Sequence, residues 1–577
     1  MGSTQPSSRV ISSERVFPAT AAPTDQPTVT RLSIIDASVA RFAACGAVWL
    51  YNPTQASHDS TLHNSRLRQA LRETLDDYRH FAGQLRWATR DDVQPGDPNP
   101  RHVGRPLVSY GSPAADPGVE LVCAEYDRPL LGVVPSPEDR RAAQKTWHAT
   151  GFPQDELLPR RRLAFTASLA DFEGLPGVAV QITRFACGGW AVGVVMSHCL
   201  ADAVCLLGFV HAWAARSRAL VAGGGLTEPT GSTPPRPVFE PALLDQHAGL
   251  TGASTEPDPE KVALARSLPM HRYDWWATEA PGYPAWATAS SDATRPPDQP
   301  GGVVTRLSPS TFPPWPTWDM AAPVEHVQIR FGAGEVARIR RAAQGDNGGE
   351  GEQEEEEKEK PPAISRLDAL LAHMWILINR ARGLHAAAET VYLDVTLGLR
   401  ARVSPPLPGS FAGSPILLGH VARRGRDVCS SSSPSSSAAG ARARAGVPLG
   451  AIAVGIRRMM ALFTPEAVAA YIHDAAHEVS PQRLWQAFVG GQHTLVTSWV
   501  RAGAYEVDFC GDGGGGGGEC DGGTRPVYVQ GKMPRMDGLL QVMDLADGTG
   551  DFDVSLCLEK GAMGRLLGDE MLRMYEV

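Results

Sequence analysis

Residues 179 to 214 read AVQITRFACGGWAVGVVMSHCLADAVCLLGFVHAWA. Just upstream and into this block, Val178, Val180 and Ile182 alternate as in a strand that buries one face. Cys187-Gly188-Gly189 carries the residues of a turn. Trp190 to Ser197 then reads as a second, more buried strand, apolar without a break from Ala191 to Met196. From Ala203 to Ala215 the spacing is helical, with Leu206, Phe209 and Trp213 beside Val204, Leu207 and Val210. His198-Cys199-Leu200-Ala201-Asp202 fills the junction. Asp202 stands where a helix N-cap belongs. Such a junction exposes side chains while the flanking elements hold them rigidly. His198 therefore has the placement of a general base near neutral pH.

The bulk numbers bound the rest. A chain of 577 residues exceeds one core, so two large domains plus insertions are expected. Hydrophobic residues make up 43% and charged residues 20%, within the globular range. A formal net charge of -9 argues against a nucleic-acid partner, which calls for a basic face. Nine Cys, an odd number with no CxxC pair, argue against a disulfide framework or a zinc site and fit a reducing compartment. Met1 to Glu14 lacks the apolar core of a secretory signal, and no run of 18 apolar residues occurs. No membrane partner is expected, and the cytoplasm is the default location.

Residues 1–30 read as a disordered segment, 31–216 as a first domain and 217–323 as a Pro/Gly-rich crossover. Residues 324–577 form a second domain, with disordered inserts at 345–360, 423–446 and 511–523. Helical periodicity covers Leu67 to Leu85, Glu335 to Ala343, Ile364 to Arg382 and Leu566 to Tyr575. Strand patterns cover Val324–Phe331, Val391–Leu397, Thr494–Trp499, Tyr505–Phe509, Pro526–Val529 and Phe552–Leu558. Strands interleaved with helices in both halves give an α/β (α+β) protein.

Three motif matches fall away. The glycine tract at Gly511 formally matches GxGxxG but opens no helix. His473 and His477 share a helix face at i,i+4 without a Glu between them or a third ligand, so no metal is assigned. Asp508-Phe509 lacks every other kinase element.

The wider sequence resembles the BAHD acyltransferases. The opening block is similar to their strand, Cys-Gly-Gly turn, His-xxx-Asp junction and Trp-Ala helix. Leu32-Ser33-Ile34-Ile35-Asp36 is similar to their Leu-Ser-x-x-Asp. Leu71 to Leu85 and Ser365 to Trp375 resemble two of their helices, and Arg400-Ala401-Arg402 with Pro405-Pro406-Leu407-Pro408 their Arg-x-Arg…Pro-Pro-Leu-Pro element. Thr497-Ser498-Trp499…Tyr505…Asp508-Phe509 resembles the approach to the second hallmark, Asp-Phe-Gly-Trp-Gly. The flavour is that of the fungal branch with trichothecene acetyltransferases. Two departures stand out. Ala203 replaces the Gly after the motif's Asp, and Cys510-Gly511-Asp512 replaces Gly-Trp-Gly.

The resemblance implies two chloramphenicol-acetyltransferase-like domains with a tunnel between them. It implies acyl-CoA as co-substrate, no metal, a small-molecule alcohol or amine as acceptor, and a monomer. His198 would be the general base. Asp202 would support it by pairing with Arg400, or failing that with Arg402. Thr497 and Trp499 are candidates for lining the site, Asp508 and Gly511 for supporting the CoA channel. Two other readings share the sequence: a condensation-like enzyme fed by a carrier protein, although Ser197 stands where such enzymes carry a second His, and a non-catalytic ligand-binding relative.

Overall fold

The computed structural model describes all residues except 1–7, 22–25, 55–56, 93–104, 113, 137–138, 141–144, 161–173, 222–233, 251–255, 295–306, 346–361, 430–448, 512–523, 546–548 and 577. Most of residues 345–360, 423–446 and 511–523, the expected inserts, therefore lie outside the described residues. The first half supplies β1 (Ser8–Val16), β2 (Cys45–Tyr51), β3 (Val119–Tyr126), β4 (Thr146–His148), β5 (Val178–Phe185) and β6 (Trp190–Met196). The second supplies β7 (Val324–Phe331), β8 (Thr390–Gly398), β9 (Ile416–Arg424), β10 (His493–Ser498), β11 (Tyr528–Gly531), β12 (Leu539–Asp544) and β13 (Phe552–Glu559).

Two large mixed sheets result. One runs β1-β3-β5-β6-β2-β11, the other β9-β8-β10-β12-β13-β7-β4. Each borrows a strand from the opposite half of the chain. β11 pairs with β2 (Tyr528 opposite Leu50), and β4 pairs with β7 (Trp147 opposite Gln328).

α1 (Ile34–Ser38), from the first half, buries Ile34 and Ile35 against the second sheet, where it touches β9, while α2 (Ser60–Leu75) and α3 (Ala203–Val221) pack in the first core and α4 (Ala333–Gly345), α5 (Arg366–Ala381) and α6 (Leu449–Ala461) in the second. α2 is opened by the Asp59 carboxylate, which accepts from Thr61 and Leu62 N–H. α5 starts on a capping box between Ser365 and Asp368. Leu67, Leu71, Phe209 and Trp213 fill the first core, and Leu370, Met374 and Trp375 the second. Among the described residues α3 alone is long and apolar enough to cross a membrane, and here its Phe209 and Trp213 are fully buried.

Several expectations are corrected. Residues 8–16 are not disordered: they form β1, paired antiparallel with β3. The Pro/Gly-rich crossover holds helices Pro259–Ser267 and Ala285–Thr294 and buries Trp275 and Trp315 in an aromatic cluster. The helix expected over Leu67–Leu85 ends at Leu75. A 3-10 turn (Arg79–Ala82) and a short strand (Gln84–Trp87) follow, with Gly83 so close to Ser109 O that a Cβ would lie 2.5 Å away. Tyr505–Phe509 is no strand but begins with a 3-10 turn. The closing helix is Lys560–Leu567, stopped at Gly568, with a 3-10 turn at Glu570–Arg573 beyond it.

Candidate functional site

β6 ends at Met196, and the chain turns through His198 before α3 starts at Ala203. Ser197 and Cys199 are buried, whereas His198 between them keeps solvent contact. Its ring meets Phe42 edge-on at 5.7 Å. Its Nδ1 lies 3.0 Å from Ser414 Oγ, and the ring also hydrogen-bonds its own main chain. Burial lowers the imidazole pKa below its ordinary value. Asp202 pulls it up and Lys532 pushes it down. The net result is a neutral ring at physiological pH, the form that accepts a proton.

Asp202 serves two structural jobs at once. Its Oδ1 accepts from Cys205 N–H at 2.9 Å and caps α3. The same carboxylate meets Arg400, which follows β8 in the other half of the chain, with Nη1 2.5 Å from Oδ2 and Nη2 3.0 Å from Oδ1. Arg400 Nη2 also donates to Phe411 O at 2.9 Å, and Asp202 N–H donates to Gly413 O at 3.1 Å. Both carboxylate oxygens are thus taken up by Arg400 and the Cys205 N–H.

The other candidates are scattered. Arg402 is not a partner of Asp202. Its Nη1 donates to Met460 O (2.9 Å) and Phe463 O (3.2 Å), tying down the end of α6. Thr497 lies half-buried on β10 opposite Gln541, and Trp499 is buried among residues of the first core. Asp508 Oδ1 accepts from Cys510 and Gly511 N–H, both at 2.9 Å, and its carbonyl accepts from Arg218 of α3. Phe509 inserts beside Trp213, 5.0 Å between centroids. Asp508 and Gly511, which sits at φ 70°, thus form a turn against the end of α3 rather than any contact with His198.

His473 and His477 are helix-end hydrogen bonders. His473 Nδ1 lies 2.9 Å from Ala248 O while its Nε2 accepts from Asp258 N–H, and His477 Nδ1 lies 2.8 Å from His473 O. Elsewhere Asp394, fully buried on β8, is bonded by His271 Nε2 at 2.9 Å and His493 Nδ1 at 2.8 Å, with His420 stacked on His271. His271, Asp394 and His420 are close enough to share an ion. The two oxygens of Asp394 are nonetheless spent on imidazole N–H groups, which makes the group a hydrogen-bonded staple between crossover and sheet.

Sequence reading missed Ser414, Phe42 and Lys532 and read Asp36 only as a motif letter. Asp36, fully buried, accepts from Ser414 N–H at 2.6 Å, and burial raises its pKa to about 6. Lys532 follows β11. Its N–H donates to Gly46 O at 2.8 Å, and Gln154 bonds both backbone groups of the next residue, Met533. Burial lowers its ammonium pKa.

The Transferase family model matches residues 8–94, 160–223 and 349–571, more than half the chain. Acyltransferase AFT15-1 of Alternaria alternata is 24% identical over 80% of this chain and 78% of its own length. Acyltransferase abl6 of Leptosphaeria maculans is 24% identical over 87% and 85% respectively. The fold matches crystal structures of vinorine synthase (TM-score 0.55, 16% identity, covering 97% of this chain and 98% of that one) and of F. sporotrichioides TRI101 complexed with coenzyme A and T-2 (TM-score 0.58, 16% identity, 95% and 99%). With two linked mixed sheets and a His-xxx-Asp turn at their seam, the chain belongs to the Transferase family, the BAHD acyltransferases.

Proposed function

We propose that the protein moves an acyl group from acyl-CoA to a hydroxyl or amine of a small molecule, with His198 as general base. The acceptor O–H or N–H gives its proton to the imidazole as the heteroatom attacks the thioester carbonyl. The new C–O or C–N bond forms, the C–S bond breaks, and the proton passes to the departing CoA sulfur. The observation that carries this reading is the partly exposed His198 held at the end of β6, its ring against Phe42 of the first half of the chain and its Nδ1 3.0 Å from Ser414 Oγ of the second. General base help is worth roughly 10²–10⁴-fold, and the remainder comes from orienting both substrates. Asp202 and Arg400 support the turn rather than touch substrate. Thr497 and Trp499 are proposed to border the site, and Asp508 and Gly511 to hold the segment that follows β10.

Hydroxylated secondary metabolites are the proposed acceptor class. Support comes from two fungal relatives named acyltransferases and from the fold shared with TRI101, crystallised with coenzyme A and T-2. We place the enzyme in the cytoplasm as a monomer needing no metal. The test is thiol release from short acyl-CoAs in the presence of candidate alcohols and amines. Wild-type turnover with a loss of at least about 10²-fold in His198→Ala supports the reading. A variant that acylates at the wild-type rate overturns it.

A further inference from the structure

We infer that Ser414 is a positioning residue for His198, carried by the second domain and held in place by Asp36 of the first. The inference rests on His198 being the base.

Ser414 is fully buried in the turn before β9. Its Oγ lies 3.0 Å from His198 Nδ1, and its N–H donates to Asp36 Oδ1 at 2.6 Å. The second Asp36 oxygen accepts from Ser33 Oγ at 2.6 Å and Ser33 N–H at 3.1 Å, so the carboxylate is fixed inside the capping box of α1. The preceding residue allows no substitute. Gly413 sits at φ 156°, and a Cβ there would meet the Phe411 ring at 2.9 Å and Asp36 Oδ1 at 3.0 Å. Arg400 and Asp202 bind the carbonyls of Phe411 and Gly413 in the same turn. The segment 411–414 is therefore held from three directions, and Ser414 Oγ is what it presents to the imidazole.

The chemistry follows from the donor count. The ring's other polar contact is to its own main chain, and only Nδ1 is close enough to reach its own carbonyl. A carbonyl accepts and never donates, so Nδ1 carries the hydrogen. Ser414 Oγ then accepts from the same N–H, and Nε2 keeps its lone pair, the one that can take the acceptor's proton. Rotation about the imidazole's outer torsion has broad, roughly two-fold wells, so loss of Ser414, one of the two Nδ1 partners, brings a flipped ring within easier reach. In that state a C–H faces the acceptor.

The experiment pairs kinetics with ¹⁵N NMR of histidine-labelled protein. Wild type is expected to show His198 as the Nδ1–H tautomer. Ser414→Ala is expected to lose about 10-fold in kcat, with KM for acyl-CoA unchanged and the His198 ¹⁵N shifts moving toward a mixture of tautomers. Ser414→Thr, which keeps the hydroxyl, should hold the wild-type shifts. Unchanged kcat or unchanged shifts in Ser414→Ala, or a wild-type Nε2–H tautomer, overturns the assignment. If Ser414→Ala does not fold, the wild-type and Ser414→Thr spectra still decide. The shifts are read without turnover, so failure of this role is distinct from failure of the acyl-transfer reading.

Discussion

Asp202 and Arg400 form a two-point ion pair that joins the start of α3 to the end of β8, at 2.5 and 3.0 Å. Both side chains are nearly buried. Removing one partner leaves an uncompensated charge in the seam, at a cost of about 3–5 kcal/mol. Asp202→Ala should therefore lower the urea midpoint sharply and take activity with it. Asp202→Asn keeps an acceptor for Cys205 N–H and separates the cap, worth about 1 kcal/mol, from the charge. Arg400→Lys should behave almost as badly as deletion, because a single ammonium cannot engage both carboxylate oxygens and Phe411 O. A fully stable and active Asp202→Ala would refute this.

Lys532 and Asp202 pull the His198 pKa in opposite directions. Lys532→Met removes a cation that disfavours the imidazolium, so the acid limb of the activity profile should move to higher pH. Asp202→Asn removes an anion that favours it, so the limb should move to lower pH. The remaining groups at the ring, Ser414 and Phe42, do not titrate in this range. A pH series of initial rates on the two variants checks the signs. Movement of both limbs in the same direction would contradict the placement of Lys532.

Acid should destabilise the fold through histidines buried as neutral rings. Burial lowers His80 and His373 to about 3 and His326 to about 4, against an ordinary 6.5. Their stabilisation is intact above pH 6.5 and is lost as pH falls toward 4, because the unfolded chain binds protons that the native state refuses. Each contributes on the order of 1.4 kcal/mol per pH unit in that window. Asp36 works the other way. Its raised pKa of about 6 means that it binds a proton in the native state first, adding stability as pH drops from 6 toward 4. The net effect of these four groups is a slope of roughly 3 kcal/mol per pH unit near pH 5, rising with pH. Urea midpoints at pH 7 and 5 measure it, and an unchanged midpoint would contradict it.

Asp394→Asn tests the buried staple. An amide can accept from only one of His271 and His493, so one imidazole N–H loses its partner, at about 1–3 kcal/mol. Thermal melting should show that loss while the KM for acyl-CoA stays at the wild-type value.

The block around His198 was legible because its signals are local. Alternation, a Gly-Gly turn, an apolar run and a capping Asp lie within about forty residues and agree with one another. β1 was not legible, since its outward residues include Val10 and Ile11 and its pairing comes from β3 over a hundred residues away. Tyr505, Val507 and Phe509 alternate like a strand, yet they do so because each drops into the first core from an irregular turn. Ser414 carried no signal at all. Its meaning is a contact with a ring 216 positions earlier, created only when the two sheets are assembled.

The reciprocal strand loan, β11 into the first sheet and β4 into the second, has a consequence for how the two halves can move. Two bodies that each own an edge of the other cannot swing apart like a clam shell without breaking main-chain ladders. Any substrate would therefore have to pass by movement of side chains and loops rather than by separation of the two sheets. The same hooking means that a nick in the crossover should yield fragments that stay associated under native conditions, whereas either fragment made alone would display a bare sheet edge and precipitate.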